Sequence, residues 1–265
     1  MLKKVYRELR FALKALGRIH HVYYLALNQP EIDISPLVDP ESGKVFDYPD
    51  KPKRVKYLVA EALSSAVDYV NSTRVTGHLA EFGVGSGWTA TMLARSMRGR
   101  PIRQFHLFDS FEGLPQATSE VDLATPMVKD GIWGTGTCNW KMTPELLARS
   151  LARFRDSLEL RIYAGWFSKT IPDVPEGTKF ALVHIDCDLY QSTVDVLDGL
   201  FGRCMLSPGA ILLFDDWCCN ACSPDLGQQK AWREMAAKYR VQYMDYGFYS
   251  YAGKKMIIHG FRGSS

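Results

Sequence analysis

HLAEFGVGSGW, residues 78–88, fixes how the rest of the chain is to be read. The short apolar run His78–Phe82 passes directly into glycines at 83, 85 and 87, and then into a helical pattern over Trp88–Met97. A near-continuous apolar run of that length suits a strand buried on both faces, as in a parallel sheet covered by helices. Glycines at the carboxyl end of such a strand let the backbone turn tightly and approach a ligand closely. The same alternation continues outward. Strand-like runs close with FHLFD (105–109), LELRIY (158–163), FALVHID (180–186) and AILLFD (210–215). Helical patterns cover Pro144–Arg155 and Gln191–Met205, the first opened by Thr143 as N-cap and Pro144 in the first helical position. The end of the chain differs: VQYMDYGFYSY (241–251) and KMIIHG (255–260) read as an antiparallel hairpin at the sheet's far edge. The expected architecture is a doubly wound α/β sheet.

With 265 residues, 46% hydrophobic and 23% charged, the chain is neither disordered nor a fibrous repeat. A net charge of +3 falls short of the strongly basic balance of a dedicated nucleic-acid binder, so no such partner is expected. No run approaches the ~20 apolar residues of a membrane span, and the charged N-terminus lacks the apolar core of a secretory leader. The six cysteines (138, 187, 204, 218, 219 and 222) are expected as reduced thiols in a cytoplasmic protein. Residues 2–27 read as one basic amphipathic helix, with Leu2, Tyr6, Leu9, Leu13, Leu16 and Tyr23 along one face. That face is expected to pack on its own domain or on a second copy, making a homo-oligomer, in the simplest case a dimer. Binding to an anionic surface is the alternative. Residues 29–52 carry prolines at 30, 36, 40, 49 and 52 and read as an ordered arm or a linker. The division expected is therefore 1–54, helix and arm, and 55–265, the main domain.

The glycine spacing is informative. A dinucleotide fingerprint runs G-x-G-x-x-G, whereas here it is G-x-G-x-G with Trp88 in the third fingerprint position. A nicotinamide dehydrogenase is disfavoured, and a ligand without phosphates at the turn fits better. Asp109 closes the second strand, where a carboxylate can accept both hydroxyls of a ribose. Turn and carboxylate together point to a nucleoside-type site.

EFGVGSG (81–87) resembles the first motif of class I S-adenosylmethionine-dependent methyltransferases. FDSFEGLP (108–115), HIDCDLYQST (184–193) and LSPGAILLFDDW (206–217) resemble the macrocin O-methyltransferase family, over roughly residues 55–260. That family methylates sugar hydroxyls of macrolides and other natural products. The resemblance implies a Rossmann-like methyltransferase sheet of seven strands, the last antiparallel, with an N-terminal helical extension. It implies S-adenosylmethionine at Glu81, Gly83, Val84, Gly85, Gly87, Trp88, Asp109, Ser110, Phe111 and Trp166. It also implies a Mg²⁺-dependent transfer of methyl to a hydroxyl of a small acceptor, expected as a sugar of a glycosylated metabolite.

The acids support this independently. Asp186 ends one strand and Asp215 and Asp216 end the next, so all three should gather at the ligand edge. Oxygen ligands without matching His or Cys favour a hard cation such as Mg²⁺. A metal also suits the chemistry, because coordination lowers the pKa of a hydroxyl that is otherwise a poor nucleophile. Asp186, Asp215 and Asp216 are the expected metal ligands. Asp188 is expected as the general base, with a supporting role, or ligation in place of Asp186, left open. His184, inside an apolar strand, reads as a core residue. Gln116–Lys141 is long for an α/β connection and is expected to be a lid, with glycines at 131, 134 and 136 between Trp133 and Trp140. Cys218, Cys219 and Cys222 lack the second ligand pair that structural zinc needs. Two other functions compete: a catechol-type O-methyltransferase acting on an aromatic diol, and a methyltransferase-like binding module without turnover.

Overall fold

The computed structural model describes residues 32–48, 51–101 and 103–263. The chain divides into two compact units, Met1–Asp33 and Ile34–Ser265, and the strands and helices that follow belong to the second. The basic helix expected over residues 2–27 lies outside the described residues.

Two short strands, β1 (Leu37–Val38) and β2 (Val45–Phe46), pair antiparallel within the proline-rich arm. Helix α1 (Lys53–Ser72), which the sequence reading did not single out, buries Val59, Leu63, Val67 and Val70 at helical spacing. The alternation follows: β3 (His78–Phe82), α2 (Trp88–Ser96) and β4 (Arg103–Asp109). Short helices α3 (Glu120–Ala124) and α4 (Pro126–Lys129) interrupt the long connection to α5 (Pro144–Leu151). Next come β5 (Leu158–Ala164), α6 (Phe167–Thr170), β6 (Phe180–Ile185) and α7 (Tyr190–Gly202). Strand β7 (Leu206–Phe214), α8 (Gly227–Lys238) and the hairpin β8 (Gln242–Tyr249) and β9 (Gly253–Gly260) complete the unit. Thr143 caps α5 as expected, its hydroxyl accepting the Leu146 N–H at 3.2 Å.

The main sheet has seven strands in the order β5-β4-β3-β6-β7-β9-β8, and β9 is antiparallel to both of its neighbours. The other pairings are parallel, and β6 is buried along its whole length. This is the Rossmann-like methyltransferase fold. The strand order reverses between β3 and β6, which places a crevice at their carboxyl ends. Gly83 shows how tightly those ends meet. Its φ is +88°, and a Cβ there would lie 1.8 Å from the carbonyl oxygen of Asp186, so no side chain can be accommodated.

From Ile34 on, the arm belongs to the same unit as the sheet. Arg149 on α5 grips Asp39 through two hydrogen bonds of 2.8 and 3.0 Å, and the Trp88 indole donates to the carbonyl of Ile34 at 3.3 Å. One expectation is corrected. Cys218 and Cys222 are not reduced thiols but form a disulfide, while Cys138, Cys187, Cys204 and Cys219 are free. Left-handed backbone at Ala221 and Cys222 curls the turn and brings the two Cα atoms to 4.0 Å. Disulfides are rare in reducing compartments, so the cysteines no longer argue for a cytoplasmic setting. Among the described residues no helix is long and apolar enough to cross a membrane.

Candidate active site

A cavity of about 770 Å³ opens at the carboxyl ends of β3, β4, β6 and β7. One end is the glycine turn. Asp109 organises it: one carboxylate oxygen accepts the amides of Val84 (2.7 Å) and Gly85 (3.0 Å), and the other accepts that of Phe111 (2.7 Å). A carboxylate offers roughly four acceptor positions, so about one is left for a ligand hydroxyl. Ser110 closes the next turn by donating to the carbonyl of Gly113 at 2.9 Å.

Of the residues expected to contact a cofactor, Gly83, Val84, Gly85, Asp109, Ser110 and Trp166 line this cavity. Glu81, Gly87, Trp88 and Phe111 are not among its lining residues. Glu81 is wholly buried and bonded to Nδ1 of His184 at 3.0 Å, the two facing each other across the β3–β6 pairing. Burial works against a proton on His184, but the Glu81 bond and charge and the nearby Asp215 and Asp216 outweigh it and raise its pKa. Gly87 takes a left-handed φ of +76° at the start of α2, packed among Leu37, Met142 and Leu147. Trp88 stacks on Tyr48 with ring centroids 5.0 Å apart and so secures the arm. Phe111 has a φ of +59° and contributes its backbone amide to Asp109.

The other end of the cavity is acidic. Ligand oxygens of Asp186, Asp215 and Asp216 all lie within 4.8 Å of one another. Burial and then the repulsion among these acids raise the pKa of Asp186 well above the usual carboxylate value. The same causes push Asp216 up to about 6. Asp188 lies just outside the cluster on a left-handed turn (φ +57°), and its N–H donates to Oδ2 of Asp216 at 2.9 Å. Its carboxyl is likewise raised, by burial and by the charges of Asp216 and Asp215. An all-oxygen set of three carboxylates within reach of one ion fits a hard divalent cation, whose charge would relieve this repulsion.

Several residues hold the acids in place and were not read from the sequence. Tyr48 donates to Asp215 Oδ2 at 2.8 Å, and Tyr249 donates to Asp215 Oδ1 at 3.2 Å. The buried Gln228 amide bridges the two strand ends: Oε1 accepts the Asp216 N–H at 3.0 Å, and Nε2 donates to the Ile185 carbonyl at 3.1 Å. Lys51 donates to the Tyr251 hydroxyl at 2.7 Å and lies over the rings of Tyr48 and Tyr251. Only the hydroxyl and amide chemistry of these side chains hinted at such roles, and sequence separation concealed the partners. The 116–141 segment supplies one wall through Met127, Ile132, Trp133 and Trp140.

The sequence profile of the macrocin-O-methyltransferase (TylF) family matches residues 55–245. The chain belongs to the macrocin O-methyltransferase family. The match takes in the glycine turn, Asp109, Asp186, Asp188, Asp215 and Asp216, while Tyr48 and Tyr249 fall outside it. Among relatives, one from Streptomyces olivaceus is named 8-demethyl-8-(2,3-dimethoxy-alpha-L-rhamnosyl)-tetracenomycin-C 4'-O-methyltransferase. It is 30% identical over 174 residues, 60% of this chain and 60% of its own length. Mycinamicin III 3''-O-methyltransferase from Micromonospora griseorubida is 31% identical over 156 residues, covering 56% of this chain and 58% of that protein. The chain thus spans about 60% of the length of these curated relatives. In fold it resembles the solved structure of the O-methyltransferase NovP, with a TM-score of 0.57 at 22% identity over 79% of this chain and 81% of that one.

Proposed function

We propose that this chain moves a methyl group from S-adenosylmethionine to a hydroxyl of a small natural product, specifically a sugar hydroxyl of a glycosylated metabolite, with the help of a divalent cation. One observation carries the reading: three carboxylates, Asp215 and Asp216 buried and Asp186 partly so, meet in the same cavity as a glycine turn clamped by Asp109. The names of the relatives, which are sugar and natural-product O-methyltransferases, supply the acceptor class.

In this reading the Val84–Gly85 backbone and Asp109 seat the nucleoside, and Trp166 offers a ring face at the cavity wall. Asp186, Asp215 and Asp216 would hold Mg²⁺, which would lower the pKa of the acceptor hydroxyl. Asp188 takes the hydroxyl proton. Asp188 lines the same cavity, and a carboxylate can take that proton once a bound cation has lowered the hydroxyl's pKa. S-adenosylmethionine would supply the methyl, the new oxygen–carbon bond replacing the carbon–sulfur bond, whose electron pair would stay on sulfur in the neutral thioether product. The 116–141 wall excludes water while this happens. The proposed assembly is a dimer, assigned to residues 2–27.

The test is a methylation assay on rhamnosylated aromatic polyketides and their aglycones, with and without EDTA. The expected result is one added methyl on the glycoside only, abolished by EDTA and restored by Mg²⁺. Methylation of the aglycone alone, or undiminished transfer in EDTA, would contradict the reading.

A further inference from the structure

Asp122 belongs to the 116–141 wall, in α3, yet its side chain faces inward and is 1% exposed. One carboxylate oxygen accepts the Tyr190 N–H at 2.7 Å. The other accepts the Gln191 N–H at 3.1 Å and the Ser119 hydroxyl at 2.7 Å. Tyr190 and Gln191 are the first two residues of α7, whose leading amides have no partner within the helix. A polar side chain just before the helix ordinarily satisfies them, but the residue there is Leu189, which has no acceptor to offer. The cap comes instead from far upstream in the chain. A carboxylate is well suited to it, because the helix dipole places partial positive charge at that end.

The turn that enters α7 also carries Asp188, in the left-handed conformation, with its amide on Asp216. The turn is therefore tied at one side to the acidic cluster and at the other to the cavity wall. We infer that Asp122 is a positioning residue, joining the wall over the cavity to the turn that presents Asp188. The wall is then in place whenever the proton acceptor is. The inference rests on the proposed role of Asp188 as base.

Hydrogen exchange, read by mass spectrometry on the full chain with S-adenosylhomocysteine bound, tests it. Asp122→Asn preserves shape but turns an N–H donor toward an amide donor. Exchange should quicken at least threefold both in 119–133 and in 186–193. Mn²⁺ affinity should also fall at least threefold through the loosened contact to Asp216, with S-adenosylhomocysteine affinity kept within twofold. Ser119→Ala, which leaves the carboxylate intact, should quicken 119–133 alone. Faster exchange confined to 119–133 in Asp122→Asn overturns the inference, as does an equal loss of both affinities. Should Asp122→Asn fail to melt cooperatively, Asp122→Glu, which retains the charge, carries the same comparison. A parent chain that binds no Mn²⁺ refutes the metal reading instead, and the exchange pattern alone then decides the role of Asp122.

Discussion

The two ends of the cavity differ in their energetics. At the β3–β4 end, the carboxylate of Asp109 is matched by three backbone amides at 2.7–3.0 Å. At the β6–β7 end, three carboxylates crowd together, and burial with mutual repulsion drives the pKa of Asp186 and Asp216 upward. The first end is satisfied by the fold itself. The second is costly as it stands, and a counter-charge would turn that cost into affinity. Cofactor seating and metal seating should therefore fail separately.

The largest effect is expected from Asp215→Asn, which removes one carboxylate charge from the proposed metal site. Transfer should fall by ~4 kcal/mol, about a thousandfold, the scale of a lost Lewis-acid contribution. S-adenosylhomocysteine affinity by calorimetry should hardly change. Equal losses in both would merge the two ends into one unit.

Next is pH. Asp216 has a folded pKa raised to about 6. Its contribution to stability is therefore present below the ordinary carboxylate range and lost as pH rises through about 6. The metal-free protein should lose on the order of a few kcal/mol from this cluster between pH 4.5 and 7.5. Added Mg²⁺ should return that stability at the upper pH only. Melting curves at both pH values, with and without Mg²⁺, check this, and a Mg²⁺ effect independent of pH would contradict it.

Asp109→Ala should weaken S-adenosylhomocysteine binding by ~1.5–3 kcal/mol, the usual scale for hydrogen bonds to a charged group. Mn²⁺ affinity should stay intact. Tyr48→Phe, which deletes one of the two phenols on Asp215, should cost the metal about 1 kcal/mol and leave the cofactor unaffected. A larger effect on cofactor than on metal would place Tyr48 at the wrong end of the cavity.

Much of this was legible in the sequence, because the signals were local. Apolar runs, three of them ending in Asp, gave the parallel strands, and strand ends in such a sheet converge whatever the loops do. The convergence of Asp186, Asp215 and Asp216 needs no more than that. What escaped depends on register and long-range closure. Glu81 reads as a motif acid, and only the β3–β6 pairing shows that it sits opposite His184 and bonds to it. Trp88 and Tyr48 are 40 residues apart, and only the folded arm stacks them. Capping of α7 by Asp122 has no sequence signature, since the residue at the expected cap position is leucine. The disulfide between Cys218 and Cys222 depends on two left-handed residues in one turn, which the spacing of the cysteines does not reveal.

The most direct measurement is a titration of Mg²⁺ into the chain loaded with S-adenosylhomocysteine, followed by calorimetry at pH 7.5. The account predicts saturable binding of one ion per chain, abolished in the Asp215→Asn, Asp216→Asn double variant while S-adenosylhomocysteine still binds as in the parent. Binding that survives in the double variant, or a parent that binds no ion, would contradict the central claim that these clustered carboxylates are the seat of a divalent cation.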